Sequence, residues 1–124
     1  MKKSYIEHFI SMGFYHFRIK KYIEIRTVDA LPIDVALGYA ALIKGIIYNE
    51  ASIDKLLERY KEIKTVEQIN EAFDSIEKDG LSANAYGRDV LSQAEELVNV
   101  ASEGLDEKEK EYLKHVRDFW NKRK

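Results

Sequence analysis

The spacing of apolar and polar positions changes character near residue 30. Tyr22-Ile23-Glu24-Ile25-Arg26 alternates strictly, the period of a half-buried strand, in β-branched and aromatic residues that favour one. This predicts a strand over about residues 22–27. Phe17 and Ile19 place a second one within 14–19, either as a hairpin with the first or as part of one longer strand. Upstream, Ile6, Phe9 and Ile10 give Tyr5–Met12 the spacing of a short helix. Beyond residue 30 the period is helical. Val35–Tyr48 is apolar nearly all round, which predicts a helix buried on most sides. Pro32 suits its first turn, and Asp34 complements the positive end. Ser52 is the expected cap of a second helix carrying Ile53, Leu56, Leu57, Tyr60 and Ile63. Thr65 with Gln68 makes a capping-box pattern before Val66, Ile69, Phe73 and Ile76, and Gly80 is a stop signal. A fourth helix is expected from about Gly87 to Ser102, with Val90, Leu91, Ala94, Leu97, Val98 and Ala101 inward and Gly104 ending it. Asp106 with Glu109 opens a fifth, which turns Tyr112, Leu113, Val116 and Phe119 or Trp120 inward.

These elements predict a mainly α protein: a bundle of about five helices with a short N-terminal β element. At 124 residues and 14.5 kDa the chain reads as a single domain, 1–124. Residues 1–30 supply a helix and a strand, and residues 31–124 the bundle. A chain of this size buries about two-thirds of its surface, so a core needs no covalent support. None is available, because cysteine is absent; disulfides, thiolate metal sites and a cysteine nucleophile are excluded. No apolar run approaches ~18–20 residues and no signal-peptide pattern opens the chain, so no membrane partner is expected and a cytoplasmic location is. The net charge of −2 hides an asymmetry: residues 1–26 carry six basic and two acidic side chains, and the rest is acidic. A basic end suits an anionic ligand, but overall acidity leaves little electrostatic drive toward polynucleotides, and no nucleic-acid partner is expected.

His8, His16 and His115 fall in no metal-binding spacing. The chain has no Gly-x-Gly-x-x-Gly or P-loop pattern and no nucleophile elbow, so a nucleotide site here is neither Rossmann nor P-loop. On the predicted strand Glu24 and Arg26 share a face with Tyr22 at about 6.6–6.8 Å spacing, while Ile23 and Ile25 take the other. A carboxylate and a guanidinium so placed suit a chain of contacts from carboxylate to Mg²⁺ to phosphate oxygen to guanidinium. They equally suit a solvent-facing ion pair worth about 0–1 kcal/mol.

Three segments carry a resemblance: Glu7-His8-Phe9-Ile10-Ser11-Met12, then Arg18-Ile-Lys-Lys-Tyr-Ile-Glu-Ile-Arg26, then Asp29-Ala-Leu-Pro32. Together they resemble the C-terminal part of glutamate–cysteine ligases of the plant-type and related bacterial branch. Gly80-Leu-Ser-Ala, Gly87-Arg88 and Glu96-Leu-Val-x-x-Ala-x-x-Gly-Leu105 extend the likeness over roughly residues 5–105. The Tyr22–Arg26 core with Asp29 and Pro32 is its most specific part. Gly13 and His16 depart from the pattern, standing where an apolar residue and an acid are common.

The resemblance implies an ATP- and Mg²⁺-dependent ligase that joins the γ-carboxylate of glutamate to the amine of cysteine through γ-glutamyl phosphate. It implies that Glu24 ligates magnesium, that Arg26 contacts the transferring phosphate, and that Asp29 and Pro32 shape the turn into the apolar helix. In that family the other metal ligands and most nucleotide contacts lie upstream. The chain is therefore expected to be a C-terminal segment, with little activity alone, whose partner is the upstream ligase region on the same or a separate polypeptide. A strand lacking its sheet neighbours would also pair between copies, giving a homodimer through the strand edge. The competing expectation is a non-catalytic helical interaction or scaffold module.

Overall fold

The structure, a computed structural model, describes residues 17–19, 21, 23–25 and 30–123. The expected helix over Tyr5–Met12, together with Arg26, Asp29, His8 and His16, lies outside the described residues. The chain divides at Leu31/Pro32 into two compact units.

In the first unit β1 (Phe17–Ile19) and β2 (Ile23–Ile25) form an antiparallel pair. The register sets Phe17 opposite Ile25, Arg18 opposite Glu24 and Ile19 opposite Ile23. Of the two arrangements the alternation left open, the hairpin is the one that forms.

The second unit is helical. It contains α1 (Ile33–Ile47), α2 (Glu50–Arg59), α3 (Val66–Asp79), α4 (Val90–Glu103) and α5 (Glu107–Asn121). A 3-10 turn at Gly80–Ser82 follows α3, and a small hairpin of β3 (Asn84–Ala85) and β4 (Arg88–Asp89) precedes α4. The protein is mainly helical, as the periodicity predicts.

Helix α1 packs chiefly on α5 and α4. Ala41, Val98, Leu105 and Leu113 form the buried cluster, with Leu42, Val116 and Trp120 against it. Small residues let α1 approach this closely. A Cβ on Gly38 would lie 2.6 Å from the Tyr112 carbonyl oxygen, and one on Gly45 would lie 2.2 Å from that of Ala101.

Local signals set most helix ends. The capping boxes of Thr65 with Gln68 and Asp106 with Glu109 both form. Gly80 ends α3 at a φ of +58°, a conformation that only glycine adopts without cost. Four expectations need correction. Pro32 is the N-cap residue of α1, not part of its first turn. Asn49, not Ser52, occupies the N-cap position of α2. Ser52 is buried inside that helix, donating to the Val100 carbonyl at 3.2 Å and accepting from Asn49 Nδ2 at 2.8 Å. Helix α4 starts at Val90 rather than near Gly87. The residues assigned to its first turn form the β3–β4 hairpin, whose two-residue loop, Tyr86-Gly87, has φ of +55° and +75°, the sign pattern of a type I′ turn. Finally, α1 is not buried on most sides, for Ile33, Leu37, Ile47 and Tyr48 are exposed.

Candidate functional site

Glu24 sits at the centre of β2 and is half-buried. Pleating sets it on the opposite face from Ile25, and the register places it facing Arg18 across the hairpin. Residues directly opposite in an antiparallel pair share a face, so an acidic and a basic position stand together there. Arg26, the other residue singled out on this strand, is not among the described residues, so its relation to Glu24 rests on the sequence alternation alone.

A magnesium ion bound with a nucleotide takes one or two carboxylates and completes its octahedron with phosphate oxygens and water. Among the described residues no group of three or more His, Cys, Asp or Glu side chains could hold a metal ion. Glu24 by itself does not make a metal site. No such group accompanies Glu24 among the described residues, and no reaction step is assigned to them.

The second polar constellation lies in the helical unit. Gln93, on α4 and buried, donates from Nε2 to the carbonyls of Ala85 (2.8 Å) and Arg88 (3.1 Å) and accepts at Oε1 from the Tyr60 hydroxyl (3.1 Å). Beside it, Glu96 pairs with Arg88 at 2.8 Å and with Arg59 at 3.1 Å. The Arg88 guanidinium, aided by Arg59, holds the Glu96 carboxyl below the ordinary carboxylate range, while burial pushes the Tyr60 hydroxyl up. Tyr60 also meets the Tyr86 ring edge-on, with centroids 6.1 Å apart. Tyr60, Tyr86 and Gln93 border a cavity of about 400 Å³ with Ile63, Ile76, Val90 and Leu97.

Chemically the constellation is a staple. The Gln93 amide is engaged at both its nitrogen and its oxygen, and through it the β3–β4 hairpin and the end of α2 are tied to α4. Sequence reasoning assigned Gln93 no role, because a polar residue between Ser92 and Ala94 reads as the solvent side of a helix. The available signal was Gly87, three residues after Asn84 in a short polar stretch, but Tyr-Gly is a weaker hairpin cue than Asn-Gly or Asp-Gly.

No family model, curated protein or solved structure matches this chain.

Proposed function

We propose that the chain supplies the C-terminal part of an ATP- and magnesium-dependent glutamate–cysteine ligase, which catalyses the first step of glutathione biosynthesis. One observation carries the reading. Glu24 stands on an extended, paired strand within Tyr22-Ile-Glu-Ile-Arg26, the segment that leads through Asp29 and Pro32 to the apolar helix α1. A strand that ran on through Arg26 would aim it the same way as Glu24, whereas a helix would turn the two apart. The register, which sets Glu24 opposite Arg18, adds support, since the reading requires polar positions on this face of the strand.

In this role Glu24 contributes one carboxylate to a magnesium site, and Arg26 forks onto the phosphoryl group passing to the glutamate γ-carboxylate. Charge developing on that group is met best by donors fixed before the reaction begins. The upstream ligase region contributes the remaining ligands and the amino-acid pocket.

The test is reconstitution. The chain is combined with an upstream ligase region of the family, and ATP-dependent γ-glutamylcysteine formation is measured. Glu24→Ala and Arg26→Ala are each expected to lower the rate by about 10²–10³-fold, the scale of one lost preorganised electrostatic contact. Activity that survives both substitutions within a few-fold would end the assignment, and so would a wild-type mixture that forms no product.

A further inference from the structure

Helix α3 is held to the bundle from one end. Its contacts run chiefly to the 3-10 turn and to β3, and its apolar Ile69, Phe73 and Ile76 are each more than a third exposed. Between it and α4 lies the cavity of about 400 Å³ bordered by Tyr60, Tyr86 and Gln93. Ile76 walls it from α3, Tyr60 and Ile63 from the segment after α2, Tyr86 from the hairpin loop, and Ala94 and Leu97 from α4. Its volume falls within the ~300–1,000 Å³ of small-molecule sites.

We infer that this cavity binds a small uncharged aromatic molecule bearing a hydrogen-bond donor. Three features select that chemistry. First, among the described residues no Asp, Glu, Lys, Arg or His lines the cavity, so an ion entering it would give up water without gaining a counter-charge. Second, the polar atoms have their hydrogens engaged. Tyr60 donates to Gln93 Oε1, and Gln93 Nε2 donates to the carbonyls of Ala85 and Arg88. A hydroxyl has one hydrogen and an amide nitrogen two, so what remains on this pair is acceptor capacity, on the Tyr60 oxygen and on Gln93 Oε1. A ligand that meets them has to donate. Third, the Tyr60 and Tyr86 rings already meet edge-on, and a third flat ring extends that arrangement favourably. Tyr86 holds its place at a cost, with φ of +55° at a turn position that favours Asn, Asp or Gly. What a tyrosine adds there is its ring, set beside Tyr60 in the cavity wall.

A peptide segment, from residues 1–31 or from another protein, is a poorer occupant. It would bring backbone carbonyls, and Tyr60 and Gln93 have no hydrogen left to meet them. The Tyr86 hydroxyl can still donate, but its residue is 41% exposed and water serves it. A mere packing gap accounts for the volume but not for a tyrosine in a turn that disfavours one. The site shares no residue with β2, so its failure leaves the ligase reading untouched.

The probe is indole, a flat bicycle with one N–H, titrated into the full chain while backbone amide shifts are followed by nuclear magnetic resonance. Benzofuran, which has the same shape with an oxygen in place of the N–H, is the control. Indole is expected to bind with a dissociation constant below about 1 mM, to shift amides gathered over residues 60–63 and 84–97, and to bind about three- to tenfold tighter than benzofuran. Ala94→Leu and Ile76→Trp fill the space from α4 and from the exposed side of α3. Each is expected to weaken indole at least about tenfold, with unchanged helical circular dichroism. The absence of saturable shifts overturns the inference, whether residues 1–31 cover the cavity or nothing does. Benzofuran binding as tightly as indole overturns the requirement for a donor. Shifts gathered on α1 instead, or an affinity indifferent to both substitutions, overturn the location.

Discussion

Glycine ordinarily weakens a helix, and replacing it by alanine in an exposed helix gains about 1 kcal/mol. At Gly45 the sign reverses. The added methyl would sit 2.2 Å from the Ala101 carbonyl oxygen, backbone that cannot swing aside. Gly45→Ala is therefore expected to cost about 1–3 kcal/mol, the usual scale of overpacking, read as a lower urea midpoint at unchanged slope. Gln93→Leu keeps the side chain's bulk but strands the Ala85 and Arg88 carbonyls and the Tyr60 hydroxyl. Its expected cost is about 1–3 kcal/mol, and Gln93→Glu should not rescue it, because a carboxylate has no N–H to donate. Neither role was legible in the sequence. Gly45 reads as a poor helix residue and Gln93 as a solvated one, because each is explained by a backbone group that only the tertiary fold brings near. The place of Glu24 on a strand was legible, for the two-residue period that predicts it is local.

Helices α3 and α5 begin where the sequence says they do, because a capping box satisfies its orphan N–H groups with residues three positions away. Asp106→Ala should cost about 0.5–2 kcal/mol, measured by thermal or denaturant unfolding. The hairpin before α4 was illegible for the opposite reason. It is held by Gln93 and by Ser75, which donates to the Asn84 carbonyl at 2.7 Å, and not by strong turn residues of its own. Its Arg88 also ties stability to pH. With the Glu96 carboxyl held low by Arg88 and Arg59, the folded form binds that proton less readily than the unfolded chain. The contribution is present above the ordinary glutamate range near pH 4.3 and is lost as pH falls through the lower folded value. Glu96→Gln should accordingly be less stable than wild type at neutral pH, and the difference should shrink on acidification below the ordinary glutamate range.

At the scale of the molecule, the alternation before residue 30 and the helical period after it correspond to the two units that divide at Leu31/Pro32. The cluster of Ala41, Val98, Leu105 and Leu113 belongs wholly to the second. A chain of residues 32–124 alone should keep its helical circular dichroism and unfold cooperatively. Loss of cooperativity would show that the bundle depends on the preceding residues. The period of α1 foretold a helix but misjudged its surroundings, since an all-apolar sequence says what a surface avoids and not whether this chain covers it.

The meeting of Gly45, Ala101 and Gly104 bears on motion. Gly104 approaches the Gly45 carbonyl as closely as Gly45 approaches Ala101, so no layer of side chains lies between α1 and the end of α4 to act as a bearing. Sliding or rolling one past the other requires the backbones to part first. The bundle should therefore breathe from its far side, around α3 and the β3–β4 hairpin. Amide protons near residues 41–45 and 98–101 should be among the last to exchange with deuterium, leaving a rigid hinge-post around which the rest of the fold relaxes.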